Sequence, residues 1–402
     1  MRGASIITAL GIAALLSACR DEETTSPRRF DAGVQPAALD PELVRQGKKI
    51  FRFDTFGDET FWTDTLKLAR VIRNSVSPTA ALGLGLKVDV AALPSEVRAA
   101  LRAGDLDLED PATTVTLLQL NAVVGLVGKV NARGFLTQVG TTCALCHSTV
   151  DNSFAPGIGR RLDGWPNRDL DVGAIVALSP ALTPEQRRVY RSWGPGMYDP
   201  RFNIDGKNLP VVIPPAFGLR GVDREIYTGD GPVSYWNEYV AVTQMHGHGR
   251  FEDSRIKVSI ANPPDLVSSK LRPLRVYQFS LEKPEPGRFD PAAAERGRLV
   301  FRGPAGCNDC HQGSLYTDVN SGILHWPREV GQDPEYARRS ATFRYRTTPL
   351  RGLWNPPQLA GPYFHDGNAA TLRDVVEHYV QRFRLSLTSR QKADLVEFLK
   401  SL

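Results

Sequence analysis

The clearest pattern of polar and apolar positions is a capped amphipathic helix written twice. Asp40-Pro41-Glu42-Leu43-Val44-Arg45-Gln46-Gly47-Lys48-Lys49-Ile50-Phe51 opens with a good N-cap and a proline at the first helical position, where its missing N–H costs nothing. Asp290-Pro291-Ala292-Ala293-Ala294-Glu295-Arg296-Gly297-Arg298-Leu299-Val300-Phe301 keeps Asp, Pro, Gly and Phe at the same spacing, which implies an internal duplication. The stretch from Thr388 to Leu402 has a capping box in Thr388 and Gln391 and an apolar stripe of Leu395, Val396, Phe398, Leu399 and Leu402. That stripe is expected to pack on the helix after Asp290. Thr183-Pro184-Glu185-Gln186 is another capping signature. It lies in a Pro/Gly-rich region, 155–235, that otherwise reads as ordered loops, including Ser192–Met197 and Tyr227–Pro232. Helical patterns also cover Thr63–Val71 and Pro94–Ala103. The chain is therefore expected to be mainly α.

The cysteines add chemistry to this pattern. Of five, four sit in Thr142-Cys143-Ala144-Leu145-Cys146-His147-Ser148 and Gly306-Cys307-Asn308-Asp309-Cys310-His311-Gln312. Each is C-x-x-C-H, the pattern of covalent c-type haem attachment. Two thiols three residues apart can each form a thioether to one vinyl group of the same porphyrin. The adjacent His147 or His311 then supplies an axial imidazole nitrogen. A zinc ribbon wants its C-x-x-C pairs within about 15–20 residues, and these are far more widely separated. A redox dithiol needs one pair and no histidine. Two covalent haem c groups are thus expected, at Cys143, Cys146 and His147 and at Cys307, Cys310 and His311.

The motifs also organise the domains. Cys307 follows Gly297 after ten residues, the usual opening of a cytochrome c domain. Cys143 comes long after Gly47, so residues 55–140 read as an insertion, to which the pattern assigns no task. Glu282–Gly287, with Pro284 and Pro286, is the best boundary. The expected architecture is two cytochrome c-like haem domains with long ordered loops, at 39–282 and 283–402.

The net charge of +5 is mild and no Lys/Arg block resembles a polybasic arm, so no nucleic-acid partner is expected. Arg2 precedes the apolar stretch Ala4–Leu16, too short to span a bilayer. It ends in Leu16-Ser17-Ala18-Cys19, which resembles a bacterial lipoprotein signal and accounts for the fifth cysteine; an ordinary signal peptide with a chance cysteine is the alternative. On this reading residues 1–19 are the signal and the polar stretch 20–38 is a tether. No other segment is apolar for long enough to cross a membrane, so the protein is expected to be anchored through Cys19 rather than spanning. C-type haem is attached outside the cytoplasmic membrane, so both signals give a periplasmic address. Arg20, in place of the Asp associated with inner-membrane retention, favours the outer membrane.

Thr348-Pro349-Leu350-Arg351-Gly352-Leu353-Trp354, Gly361-Pro362-Tyr363-Phe364-His365-Asp366-Gly367 and Thr371-Leu372-Arg373-Asp374-Val375-Val376 resemble the C-terminal half of the bacterial di-haem cytochrome c peroxidase and MauG superfamily. The resemblance is clear over roughly 290–402, weaker over 140–260 and absent over 55–140. It implies two unlike haems, a six-coordinate C-terminal one that relays electrons and an N-terminal one that meets peroxide, with a Trp between them. At the position where the peroxidases carry a distal Met, this chain has Tyr379, as MauG has. His378 and His365 are the rivals, the latter usually bonded to a haem propionate. Trp236, in Tyr235-Trp236-Asn237-Glu238, resembles the inter-haem Trp, with plain core as its other reading. Ten residues on, His246 stands where the family has a distal Gln. It is either an acid–base group beside an open iron or a ligand that closes it. Met197 is another candidate ligand, and His248 reads as a solvated loop residue. The family also holds a calcium ion near the Pro-Tyr-Phe-His turn that Pro362 keeps, which leaves calcium as an open expectation.

The resemblance implies an oxidoreductase that draws electrons from a small periplasmic donor and reduces hydrogen peroxide, with His246 and Trp236 as functional residues. A non-enzymatic electron carrier is the alternative. So is a rubber-oxygenase-like dioxygenase, whose aromatic-Trp pair and Phe would match Tyr235-Trp236 and Phe251.

Overall fold

The duplicated pattern becomes two matching helix crossings. Helix Pro41–Phe53 is capped by the Asp40 carboxylate, which accepts from the Glu42 N–H at 2.9 Å. Helix Pro291–Arg302 is capped the same way by Asp290. Each lies on a later helix, the first on Leu271–Ser280 and the second on Ser389–Lys400. Both cross at the repeated glycine. A Cβ on Gly47 would sit 2.0 Å from the Pro273 carbonyl oxygen, and one on Gly297 2.0 Å from that of Asp394. Four residues on, the repeated phenylalanine fills the crossing edge-on, Phe51 against Tyr277 at 5.5 Å and Phe301 against Phe398 at 5.1 Å. The four shared residues are thus the cap, the first-turn proline, the contact point and the aromatic that packs beside it. Leu271–Ser280 has no side-chain cap, and that is why its boundary left no mark in the sequence.

The computed structural model describes residues 38–354 and 361–402. The signal, Cys19 and all of the tether before residue 38 lie outside the described residues. The chain is helix-rich, with five two-stranded pairings among the described residues, and no described helix is long and apolar enough to cross a membrane. The C-terminal stripe packs as expected: Leu395, Phe398, Leu399 and Leu402 are buried with Val300 and Phe301, and Val396 is only partly buried. The Thr183–Gln186 capping box starts the helix Pro184–Arg191, with both reciprocal bonds made.

Residues 55–140 are more varied than their helical patterns suggest. Ser95–Ala103 is a helix. The stretch 63–71 is broken: a wide π-type turn at Phe61–Thr65 ends, Lys67 takes a left-handed φ of +60°, and a new helix runs Leu68–Ser75. A hairpin, Leu126–Val130 with Leu136–Thr141, closes the segment. Leu118, Leu136 and Val139 form its core. The second strand leads directly into Thr142 and Cys143, so this segment delivers the first motif.

Asp58 is fully buried beside that strand and accepts from the Thr141 N–H at 3.0 Å and from its hydroxyl at 2.6 Å. Burial outweighs these bonds and raises the carboxyl from 3.8 to about 8. The folded state therefore holds a proton that the unfolded chain loses from about pH 4, and the associated stability is gone once pH passes about 8. Denaturant titrations should show the wild type losing about 4 kcal/mol between pH 5 and 9, and Asp58→Asn losing none of it. Equal loss in both proteins would assign the effect to another group.

A buried ion network ties the loops after the first motif to the second half. Arg339 clasps both Asp199 oxygens at 3.0 Å and both Asp205 oxygens at 2.7 and 2.8 Å. Asp230 bonds Arg201 at 2.8 Å and the Ala341 N–H at 2.8 Å.

Candidate functional site

Both C-x-x-C-H segments close one tight turn, with the His147 N–H donating to Cys143 at 3.2 Å and the His311 N–H to Cys307 at 2.9 Å. Their imidazoles are aimed alike. His147 Nδ1 lies 3.0 Å from the Pro214 carbonyl and His311 Nδ1 lies 2.9 Å from that of Tyr316. A carbonyl only accepts, so Nδ1 carries the proton and Nε2 keeps its lone pair for a metal. Burial favours the neutral ring in both, lowering His147 to about 4 and lowering His311 as well. The four described cysteines form no disulfide. Burial pushes the Cys143 and Cys146 thiols up to about 12, whereas a redox dithiol needs a depressed thiol.

A cavity of about 690 Å³ adjoins the second motif, walled by Phe301, Cys307, Cys310, His311, Leu395 and Leu399. Tyr379 lines it too; burial pushes its phenol up to about 12, with Cys310 and Cys307 close by. His378 is spent elsewhere, its Nε2 bonded to the Val330 carbonyl at 2.9 Å. His365 lines the cavity with Nε2 3.2 Å from the Tyr345 hydroxyl, and its buried Nδ1 has no partner among the described residues. The three candidate axial residues are thus separated: Tyr379 and His365 reach the cavity, His378 does not.

The cavity's polar wall tests the fit of a porphyrin. Arg168 and Arg351 line it, and Nε and Nη1 of the first and Nε and Nη2 of the second are buried without partners among the described residues. Burial lowers the pKa of both guanidinium groups. Arg346 spends its Nη1 on Glu225 at 2.8 Å. Unmet buried donors are costly, and a porphyrin's two carboxylate arms are the groups that would satisfy them. Apolar walls, two cysteines, an aimed imidazole and unmet cations fit a c-type haem.

At the first motif, Cys143 packs against the cluster of Trp236, Tyr239, Met245 and Phe251, and Cys146 against Leu170, Ile213 and Tyr198. The Tyr198 hydroxyl donates to Gln244 at 2.5 Å. His246, two residues on, has a left-handed φ of +61°, and its ring stacks on Phe61 at 3.6 Å and 19°. Burial lowers it to about 4. Trp62 donates to the Met245 carbonyl at 3.1 Å, so the insertion walls the segment that carries His246. Trp236 donates through Nε1 to the Glu225 carbonyl at 3.2 Å, and Glu225 lines the second cavity. The indole therefore joins the cluster around Cys143 to the wall of the second site. Tyr235 and Phe251 belong to that same cluster, in edge contact at 5.3 Å, with the Tyr235 hydroxyl bonded to Asp253 at 2.7 Å. His248 lies in the bend before the strand Gly249–Asp253, half-buried, with its Nδ1 held by the Pro263 carbonyl at 2.9 Å. Met197 pairs with Val212 in a two-residue strand.

Phe61, Trp62, Tyr198, Arg168 and His325 escaped the sequence reading. Only their positions in space connect them to the motifs. Arg351 lay inside a motif already read, and its role is visible only from the cavity.

These features fit the attachment of a c-type haem. No protein-family model matches the chain. It is similar to methylamine utilization protein MauG of Methylorubrum extorquens, 33% identical over 127 residues, covering 28% of this chain and 35% of that protein. It is 30% identical over 152 residues to cytochrome-c peroxidase IdrP1 of Denitromonas iodatirespirans, covering 28% and 40%. Hydrazine synthase subunit gamma of Kuenenia stuttgartiensis is 31% identical over 151 residues, covering 27% and 41%. The chain thus spans about two fifths or less of the length of these relatives. At this modest identity the chain is similar to proteins named MauG and cytochrome-c peroxidase over part of their length.

Proposed function

We propose that this chain is an exported di-haem oxidoreductase of the cytochrome c peroxidase and MauG kind. One haem is held by Cys143, Cys146 and His147, the other by Cys307, Cys310 and His311. The observation that carries this is the common posture of His147 and His311, each giving Nδ1 to a backbone carbonyl and keeping Nε2 for iron. When bound, the two haems supply iron that exchanges single electrons and, where one axial position is free, a place for peroxide.

The chain's own residues do the rest. Arg168 and Arg351 would pair with the propionates and hold the second haem in its cavity. Tyr379, which lines the same cavity as His311, would supply a phenol oxygen to the iron, with His365 as the rival. An anionic phenolate favours ferric iron, so the site should sit well below a Met/His haem in potential. Trp236 lies on the route from the second site's wall to the first. His246, uncharged above about pH 4, accepts a proton from peroxide at a ring nitrogen and returns it to the departing oxygen. Peroxide leaves as two waters after taking up two electrons and two protons, the electrons coming from a small periplasmic donor. Export and a lipid on Cys19 belong to the same reading, because haem c is attached outside the cytoplasmic membrane.

EPR of the oxidised protein tests the asymmetry. A high-spin ferric signal beside a low-spin one is expected, with peroxide turnover when hydroquinone supplies the electrons. Two low-spin signals and no turnover would assign a plain electron carrier.

A further inference from the structure

We infer that an open groove outside both haem sites docks an acidic one-electron redox protein that feeds the His311 site; the inference rests on the oxidoreductase reading above. The groove encloses about 820 Å³ and is lined by Trp326, Phe343, Arg224, Arg328, Arg338 and Arg344. Trp326 is 46% exposed and Phe343 53%. Phe343 holds a left-handed φ of +57°, a conformation that a bulky side chain rarely adopts. Ser340 Oγ accepts its N–H at 3.0 Å and Thr342 Oγ1 accepts the next one at 3.2 Å, so the backbone fixes the ring outward. Arg344 lies over the Trp326 ring at 4.2 Å.

Arg338 shares Glu335. Among the described residues no carboxylate lies within ion-pair distance of Arg224, Arg328 or Arg344, and the groove lining itself contains no acid. Exposed Trp, Phe and Arg together have the composition of a protein–protein hot spot, and a lining of four arginines and no acid, offset in part by Glu335 beside Arg338 and Glu329 near Arg344, leaves positive charge for an acidic rim on the partner. The concave shape favours a protruding protein surface over a flat anionic membrane.

The groove also sits next to the second site. His325, the neighbour of Trp326, is buried, with Nε2 3.0 Å from Asp318 and Nδ1 2.8 Å from Glu329. Its imidazole, Asp318 and the Cys310 sulfur have ligand atoms within 4.8 Å of one another. A partner seated on Trp326 is therefore separated from the Cys310 thioether by one side chain. The partner loses one electron and the His311 site gains it; no bond forms or breaks.

The test is stopped-flow reduction of the holoprotein by reduced plastocyanin, an acidic blue-copper protein, with uncharged hydroquinone as control. The variants are the double change Arg328→Glu with Arg344→Glu, and separately Trp326→Ser. In wild type the plastocyanin rate should fall steeply with salt. At low salt it should fall at least tenfold in the double variant and several-fold in Trp326→Ser, with the hydroquinone rate unchanged in both. Unchanged plastocyanin rates, or equal slowing with both reductants, would overturn the docking site. Peroxide turnover with hydroquinone is scored separately: its absence sinks the peroxidase reading and leaves the docking result standing.

Discussion

His246→Ala should cut peroxide turnover by about 10²- to 10⁴-fold, the usual range for removing a positioned acid–base group, while both haems stay attached. The structure gives the ring the right properties. It is stacked on Phe61, kept uncharged by burial, and free of hydrogen bonds to other described residues. It also has a left-handed backbone, of the kind retained where the surroundings over-determine it. Spectra separate the two roles left open for this residue. Loss of turnover with an unchanged haem spectrum means a proton shuttle. Conversion of a low-spin signal to high spin means that His246 was an iron ligand and that the wild-type site is closed. Turnover should also fall as pH drops toward about 4, where the imidazole takes up a proton.

The second large effect concerns the helix crossings. Gly297→Ala should destabilise the holoprotein by about 3 kcal/mol, at the upper end of the cost of overpacking. In an ordinary helix interior the same change stabilises by up to about 1 kcal/mol, so the sign alone is informative. The added Cβ would stand 2.0 Å from the Asp394 carbonyl oxygen and 2.9 Å from Phe398 Cβ. Relief requires the two helices to part, and Phe301, Leu395 and Leu399 beside the contact also wall the haem cavity. Lower haem content should therefore accompany lower stability. Gly47→Ala should behave alike at Pro273 and Tyr277. Thermal unfolding and the mass of the haem-loaded chain read both effects, and a Gly297→Ala protein as stable as wild type would show that the crossing is looser than described.

The division between what was legible and what was not follows the range of the interactions. Caps, first-turn prolines, the duplicated Asp-Pro-Gly-Phe spacing and the two C-x-x-C-H segments are local patterns, and they gave the helical ends, the repeat and the candidate attachment residues directly. The break at Lys67 was hidden because a left-handed φ at a lysine follows no local preference. His378 and Tyr379 are adjacent in the chain and equally able to bind iron. Only packing decides that the phenol faces the cavity while the imidazole is taken by Val330. Arg168 sits in a loop with no motif, yet its unmet N–H groups help define the pocket. By itself the sequence determined which atoms are the candidates to hold haem and how each crossing begins. The tertiary structure decided what surrounds those atoms, because burial, unmet charge and the facing of a side chain come from residues far apart in the chain.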